Sequence, residues 1–237
     1  MTVRPAEIEP IQAVLFDLDN TLYDRDYTFG TWARGFIEAQ FVAEDEESRA
    51  AILQELRTLD AGGHTPRAEM FRQFKARYPI LDQDVPALCD LFSTQWLAYM
   101  ALDAETENLL DRLDEAAIPY GIITNGTAYQ NLKIQKLALE HRLCCLFVSG
   151  EFGYHKPDAA IFQAAAACMG LPCAQILFVG DNPEADICGA QRVGMRTAWI
   201  HRGKTWPAAL TDVQPDIVIS TFGELVPVLD LPEDRDA

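Results

Sequence analysis

Asp17 and Asp19 stand two residues apart at the end of the apolar run Ile11 to Phe16 (IQAVLF). Side chains alternate across a strand, so carboxylates at this spacing leave the sheet toward one side. Such a pair can share a cation, or divide between them the work of a nucleophile and of an acid and base. An acid pair closing a strand is also a common solvated turn. Here the preceding strand is wholly apolar, and the hydroxyl of Thr21 continues the same parity.

Three further strand ends are chemically loaded. Thr124-Asn125-Gly126 follows Gly121-Ile122-Ile123, offering a hydroxyl, an amide and a glycine-freed backbone to a phosphate just ahead of a helix. The same residues would also serve in a plain strand-to-helix turn. In Lys156-Pro157-Asp158, Pro157 suits a first helical position, which puts Lys156 at the cap. A cation there opposes the helix dipole by about 0.3–1 kcal/mol. That local conflict favours a phosphate-binding ammonium over a surface lysine. In Gly180-Asp181-Asn182-Pro183-Glu184-Ala185-Asp186, Asp181 closes a strand, Asn182-Pro183 caps and starts a helix, and Asp186 falls in its first turn. Acids at a helix start also simply complement its dipole.

If Asp17, Asp19 and Asp181 share one crevice, each close pair costs ~4 kcal/mol at ~4 Å with an effective dielectric near ~20. Three such pairs would consume most of a typical folding stability of about 5–15 kcal/mol. A divalent cation resolves the conflict. Oxygen-only ligands shared with a phosphate suit Mg²⁺ better than Zn²⁺.

The elements that must position these residues can be read from the same sequence. Short apolar runs at Ile11 to Phe16, Tyr120 to Ile123, Cys144 to Val148, Ile176 to Val179, Thr197 to Ile200 and Ile217 to Ile219 read as buried parallel strands. Helical patterns lie between them, at Asp103 to Ala117, Ala128 to Leu139, Pro157 to Met169 and Pro183 to Val193. This alternation predicts an α/β fold, a Rossmann-like parallel sheet with helices on both faces. From Leu22 to Ala101 the pattern is helical throughout, at Thr28 to Val42, Glu46 to Leu59, Pro66 to Tyr78 and Val85 to Met100. The expected organisation is a core of residues 11–21 and 102–230, an inserted all-α subdomain over 22–101, and flexible ends at 1–10 and 231–237.

The four segments, DLDNTLYD, IITNG, HKPD and VGDNPEAD, resemble in order and content the motifs of the haloacid dehalogenase superfamily. The resemblance covers Ile11 to Leu22 and about Asp103 to Leu229, and the insertion then corresponds to that superfamily's cap subdomain. It implies a Mg²⁺-dependent phosphatase in which Asp17 attacks phosphorus and becomes an aspartyl phosphate. Asp19 would protonate the departing alkoxide and then deprotonate the hydrolytic water. By the same resemblance the Asp17 carboxylate, the Asp19 carbonyl and Asp181 would hold the metal, with Asp186 orienting its shell or Lys156. Thr124, Asn125 and Lys156 would bind the phosphoryl group.

Asp19 weighs against a dehalogenase, which needs no leaving-group acid and lacks a second aspartate. A phosphosugar mutase would keep both acids and stays open. Phospho-receiver switches also gather acids, a Thr or Ser and a Lys around Mg²⁺, but carry their phosphorylated Asp after a later strand than the acidic pair and have no large helical insertion, so the Asp-x-Asp-x-Thr spacing and the insert here argue against them. A non-catalytic binding protein would have little need of all four motifs intact.

A chain of 237 residues with a net charge of −17 repels nucleic acid and anionic membranes. The resemblance of the TNG and DLDNTLYD segments implies instead a small phosphorylated metabolite as partner: a nucleotide, flavin mononucleotide or a sugar phosphate. The opening MTVRPAEIEP lacks a secretory apolar stretch, and no segment approaches a membrane span, so the cytoplasm is the expected compartment. Cys89, Cys144, Cys145, Cys168, Cys173 and Cys188 read as small buried apolar residues in a reducing environment. Phe29, Trp32, Phe36, Phe41, Trp96 and Tyr99 have the spacing of a helical core, with stacking on a base or flavin as the other use for such rings.

Overall fold

The computed structural model describes residues 10–232. Asp24–Ala101 forms one compact unit, and the described residues before and after it form the other.

The larger unit is built on six parallel strands: β1 (Ala13–Phe16), β2 (Tyr120–Thr124), β3 (Cys145–Val148), β4 (Ile176–Gly180), β5 (Arg196–Ile200) and β6 (Ile217–Ile219). Their order across the sheet is β3-β2-β1-β4-β5-β6. Every residue of β1, β2 and β4 is buried, which is why these strands read as unbroken apolar runs. The alternation sorts their side chains onto two faces. Ala13, Leu15, Ile123, Ile176 and Phe178 pack with Ile161, Phe162 and Ala165 of the helix Ala159–Met169 and with Ala190. On the opposite face Phe16 meets Tyr120 and Phe222 edge-on, at 6.3 and 6.1 Å between ring centroids. The chain winds outward from β1 to β3, then returns to the other side of β1 as β4. The switch point beside β1 is where an open parallel sheet leaves a crevice beyond its strand ends.

The smaller unit contains α1 (Arg25–Gln40), α2 (Glu46–Asp60), α3 (Arg67–Arg77) and α4 (Val85–Trp96). Asp24, Asp45 and Asp84 cap three of them by accepting from Tyr27, Ser48 and Ala87 N–H groups, so part of the surplus acid sits where helix starts favour it. The core of the unit is aromatic. Trp32 stacks on Phe36 at 5.1 Å and meets Phe92 edge-on at 4.7 Å. Phe29, Trp32, Phe36, Phe41 and Trp96 are all buried there, and only Tyr99 of the six rings considered above is exposed, at 44%. The core role of the five is thus borne out, and their faces are spent on one another. Below them Arg25 grips Asp60 with two hydrogen bonds of 2.6 and 2.7 Å.

In the larger unit the helices are α5 (Ala104–Glu115), α6 (Tyr129–Lys136), the short α7 (Ser149–Phe152), α8 (Ala159–Met169) and α9 (Gly189–Arg192). Two expectations change. The helix expected from Pro157 starts at Ala159, because the Asp158 carboxylate accepts from Ala160 N–H and is the better cap; the Lys156–Pro157 bond is cis. Lys156 therefore caps no helix and opposes no dipole. The helix expected over Pro183 to Val193 is a wide π-helical turn, Pro183–Cys188, leading into α9. The N–H groups of both Asp186 and Ile187 donate to the Asn182 carbonyl, and residue periodicity does not reveal such a turn.

The cysteine expectation also needs correction. Cys145 and Cys188 are buried, but Cys144 and Cys168 are exposed and Cys89 and Cys173 intermediate. Cys144 precedes β3, an edge strand, and Cys168 lies in the last turn of α8, so neither is covered. At the chain ends, residues 1–9 and 233–237 of the expected flexible segments lie outside the described residues. Leu231, also assigned to them, is buried, and its N–H donates to Val226. No helix among the described residues is long and apolar enough to cross a membrane.

Candidate active site

Asp17 follows β1 directly, and its N–H donates to the Val179 carbonyl of the adjacent β4 at 2.9 Å. That bond ties the two central strand ends together where their acids emerge. Lys156, from the β3–α8 connection, reaches in and places its ammonium 2.6 Å from Asp17 Oδ1 and 2.7 Å from Asp186 Oδ1. Thr21 Oγ1 donates to the other Asp17 oxygen at 3.2 Å. All four of these residues are buried.

Asp186 is positioned from the π-helical turn, where its Oδ2 accepts the Asn182 N–H at 2.9 Å. The turn packs so closely on β4 that a Cβ at Gly180 would lie 2.3 Å from Asp186 Oδ2. Only glycine fits there, because that contact is far inside van der Waals distance.

Asp17, Asp181 and Asp186 each offer an oxygen such that all three atoms lie within 4.8 Å of one another. Burial pushes the Asp17 carboxyl up to about 7, with Lys156 pulling it down and Asp186 pushing it further up. Asp181 and Asp186 are raised as well, burial leading in both. Burial opposes the charge on Lys156, but Asp17 and Asp186 outweigh it and hold the lysine protonated well above its ordinary range. Three crowded carboxylates, with Lys156 bridging Asp17 and Asp186 and Lys204 on Asp181, are still short of one positive charge. Hard oxygen donors at this spacing fit Mg²⁺ by charge and by chemistry.

The Asp19 side chain does not join that group, contrary to the expected convergence. Lys133 of α6 lies 2.6 and 2.9 Å from its two oxygens. Gln130, one turn earlier, donates to Asp19 Oδ2 at 2.8 Å and also to Thr124 Oγ1, and the Tyr23 hydroxyl donates to Asp19 Oδ1. Although burial works against it, Lys133 and these hydrogen bonds hold Asp19 down at about 2. Asn20, in the left-handed region at φ 62°, turns the chain between Asp19 and Thr21, a conformation asparagine tolerates better than most residues.

Thr124 is the last, buried residue of β2, and its hydroxyl accepts from Gln130. Asn125 is placed differently from a phosphate ligand. Its side-chain amide donates to the Lys156 carbonyl and its Oδ1 accepts the Lys156 N–H, both at 2.9 Å. In this structure Asn125 clamps the backbone of the lysine. Ser149 reinforces the same junction, its Oγ accepting the Gly126 N–H at 3.0 Å and lying 2.7 Å from His155 Nδ1.

Residues 11–194 match the haloacid dehalogenase-like hydrolase family. The chain belongs to it. Over 90% of its length this hydrolase is 32% identical to a ribulose-1,5-bisphosphate 5-phosphatase of Halopiger xanaduensis, covering 97% of that protein. It is 30% identical to a glyceraldehyde 3-phosphate phosphatase of Methanopyrus kandleri, over 92% of this chain and 97% of that one. In fold it resembles the HAD-hydrolase YfnB of Bacillus subtilis, solved with magnesium, at TM-score 0.73 and 22% identity over 94% of this chain and 100% of that chain.

Several residues of the haloacid dehalogenase-like hydrolase site are invisible to motif reading. Lys133 and Gln130 sit on one face of α6 as an i, i+3 pair, which is the signal that could have linked them to one target. Lys204, in the loop after β5, places its ammonium 2.8 Å from Asp181 Oδ2. Trp199 of β5 donates its indole N–H to the Asp181 carbonyl at 2.9 Å, and Arg202 donates to the Asn20 and Thr21 carbonyls at 3.1 and 2.7 Å. One strand end thus braces both acidic loops.

Proposed function

We propose that this hydrolase is a Mg²⁺-dependent phosphatase of small phosphomonoesters acting through an aspartyl-phosphate intermediate. The observation that carries this reading is the single Lys156 ammonium, buried between Asp17 and Asp186 beside Asp181. Asp17, Asp181 and the Asp19 carbonyl would hold Mg²⁺, with Asp186 fixing Lys156 and the metal shell. Bound there, the ion would neutralise the carboxylates and the transferring phosphoryl group.

In the first step an Asp17 carboxylate oxygen forms a bond to phosphorus as the bond to the leaving alkoxide breaks. Lys156 draws the Asp17 carboxyl back toward its ionised form against the effect of burial and attracts the phosphoryl oxygens. Asp19 gives a proton to the alkoxide, then takes one from the water that attacks the aspartyl phosphate, regenerating Asp17 and releasing inorganic phosphate. Held at about 2 by Lys133 and its hydrogen bonds, Asp19 is set up as the base. The acid step requires it to turn from Lys133 and take up a proton from solvent when substrate binds, and that proton is the one passed to the alkoxide. The Thr124 hydroxyl would contact the phosphoryl group. Asn125 acts on that group through Lys156, whose backbone it grips.

Among substrates, small sugar phosphates fit this reading better than nucleotides or flavin mononucleotide. Phe29, Trp32, Phe36, Phe41 and Trp96 of the helical unit are committed to its core, and relatives at 32% and 30% identity are named for sugar or triose phosphates. Asp24–Ala101 is then the inserted cap subdomain of this superfamily.

The test is phosphate release from a panel of sugar phosphates, nucleotides and flavin mononucleotide, with Mg²⁺ and with EDTA, for wild type and Asp17→Asn. Release lost on both chelation and substitution supports the reading. Release that survives Asp17→Asn, with deamidation excluded, overturns it.

A further inference from the structure

The site carries four carboxylates, Asp17, Asp19, Asp181 and Asp186, each in contact with a lysine. Lys156 serves Asp17 and Asp186, Lys133 serves Asp19, and Lys204 serves Asp181. The three lysines differ in how firmly they are held. The Lys156 and Lys133 side chains are 2% and 11% exposed, whereas Lys204 is 48% exposed. Lys156 bonds two acids and Lys133 bonds both oxygens of one, but Lys204 meets its partner through a single contact with Oδ2. One oxygen of Asp181 lies within 4.8 Å of an oxygen of Asp17 and of Asp186, a spacing that fits a divalent ion.

We infer that Lys204 is an exchangeable counter-ion of the metal site, a positioning residue that a divalent cation must displace from Asp181. The inference rests on the metal reading above and goes beyond it. An ammonium 2.8 Å from Asp181 and a dication on that carboxylate repel each other, and Lys204, unlike the buried Lys156 with its two acids, has no second carboxylate to hold it there. Lys204 has somewhere to go, because its stem is long, its side chain half-exposed and its loop follows the strand end. The exchange holds Asp181 in place beforehand and lowers the affinity for the ion.

The experiment is titration of the intact protein with Mg²⁺ by calorimetry, with no substrate present, for wild type, Lys204→Met and Lys204→Arg. A half-exposed ion pair is worth a factor of roughly two to five, so Lys204→Met should bind Mg²⁺ about threefold tighter, and Lys204→Arg, which keeps the charge, should bind like wild type. Thermal unfolding gives a second readout. Lys204→Met should melt lower than wild type in EDTA and gain more from Mg²⁺. Equal or weaker Mg²⁺ binding by Lys204→Met, with binding by wild type intact, overturns the exchange and leaves the metal reading standing. Failure of all three proteins to bind Mg²⁺ at millimolar concentration overturns both.

Discussion

The Lys133 ammonium lies 2.6 and 2.9 Å from the two oxygens of Asp19, across 114 positions of sequence. It holds the second aspartate of the DLDNTLYD segment as a carboxylate. Removing it leaves Asp19 with Tyr23 and Gln130 but without its neutralising charge. Lys133→Met should therefore lower stability at pH 7 by about 1–3 kcal/mol. The folded pKa of Asp19 lies below its ordinary value, so the pair contributes fully above pH ~4 and is lost as pH falls toward ~2. Urea unfolding should show the difference between wild type and variant holding steady from pH 7 to pH ~4 and narrowing from there toward pH ~2. A gap that is constant with pH would assign the loss to packing.

Asp17 has the opposite sign. Burial raises it to about 7, so between pH ~4 and ~7 the folded protein binds a proton that the unfolded chain gives up. Its contribution is fully present below pH ~4 and is lost as pH rises through ~7. Unfolding in EDTA should show wild type losing about 1–2 kcal/mol between pH 5 and 7 relative to Asp17→Asn. Mg²⁺ should oppose that loss, because binding it releases the proton.

Asn125→Ala separates a clamp from a phosphate ligand. Loss of both hydrogen bonds to the Lys156 backbone should cost about 1–2 kcal/mol of stability and lower turnover on the order of tenfold. Product inhibition by inorganic phosphate should change little. Phosphate inhibition weakened as much as turnover would return Asn125 to direct binding.

Gly180→Ala adds one methyl group where Asp186 Oδ2 would be 2.3 Å away. Asp186 has no slack, being bonded to Asn182 N–H and paired with Lys156. The variant should lose about 2–4 kcal/mol of stability, and Mg²⁺ should recover less of it than in wild type. A melting temperature within error of wild type would show that the turn can move.

Much of the larger unit was legible because strands buried on both faces must be apolar throughout, and the acids of Asp17 and Asp181 mark where burial ends. Lys156 was recognised for a reason that proved wrong. It opposes no helix dipole, yet it does reach the acids, through a connection whose course no local pattern encodes. Lys133 and Lys204 were not legible, since a lysine on an exposed-looking helix face or loop looks the same whether its partner is water or a carboxylate far along the chain. The orientation of Asn125 was hidden for a related reason: an amide offers the same donor and acceptor to a phosphate, a turn or a backbone.

The order of the strands bears on when the site comes into being. β1 pairs with β2 and β4, with Val14 opposite both Tyr120 and Leu177, so the strand that leads into Asp17 finds no neighbour until roughly a hundred further residues have been made. Closing so long a loop is entropically expensive and slow, while α1 to α4 can form from contacts near in sequence. A chain emerging from the ribosome would thus hold a folded helical segment while the Asp17 strand waits. The carboxylate group comes together only once Lys156, Asp181 and Asp186 have arrived, so a truncated product carries the first motif without the site around it.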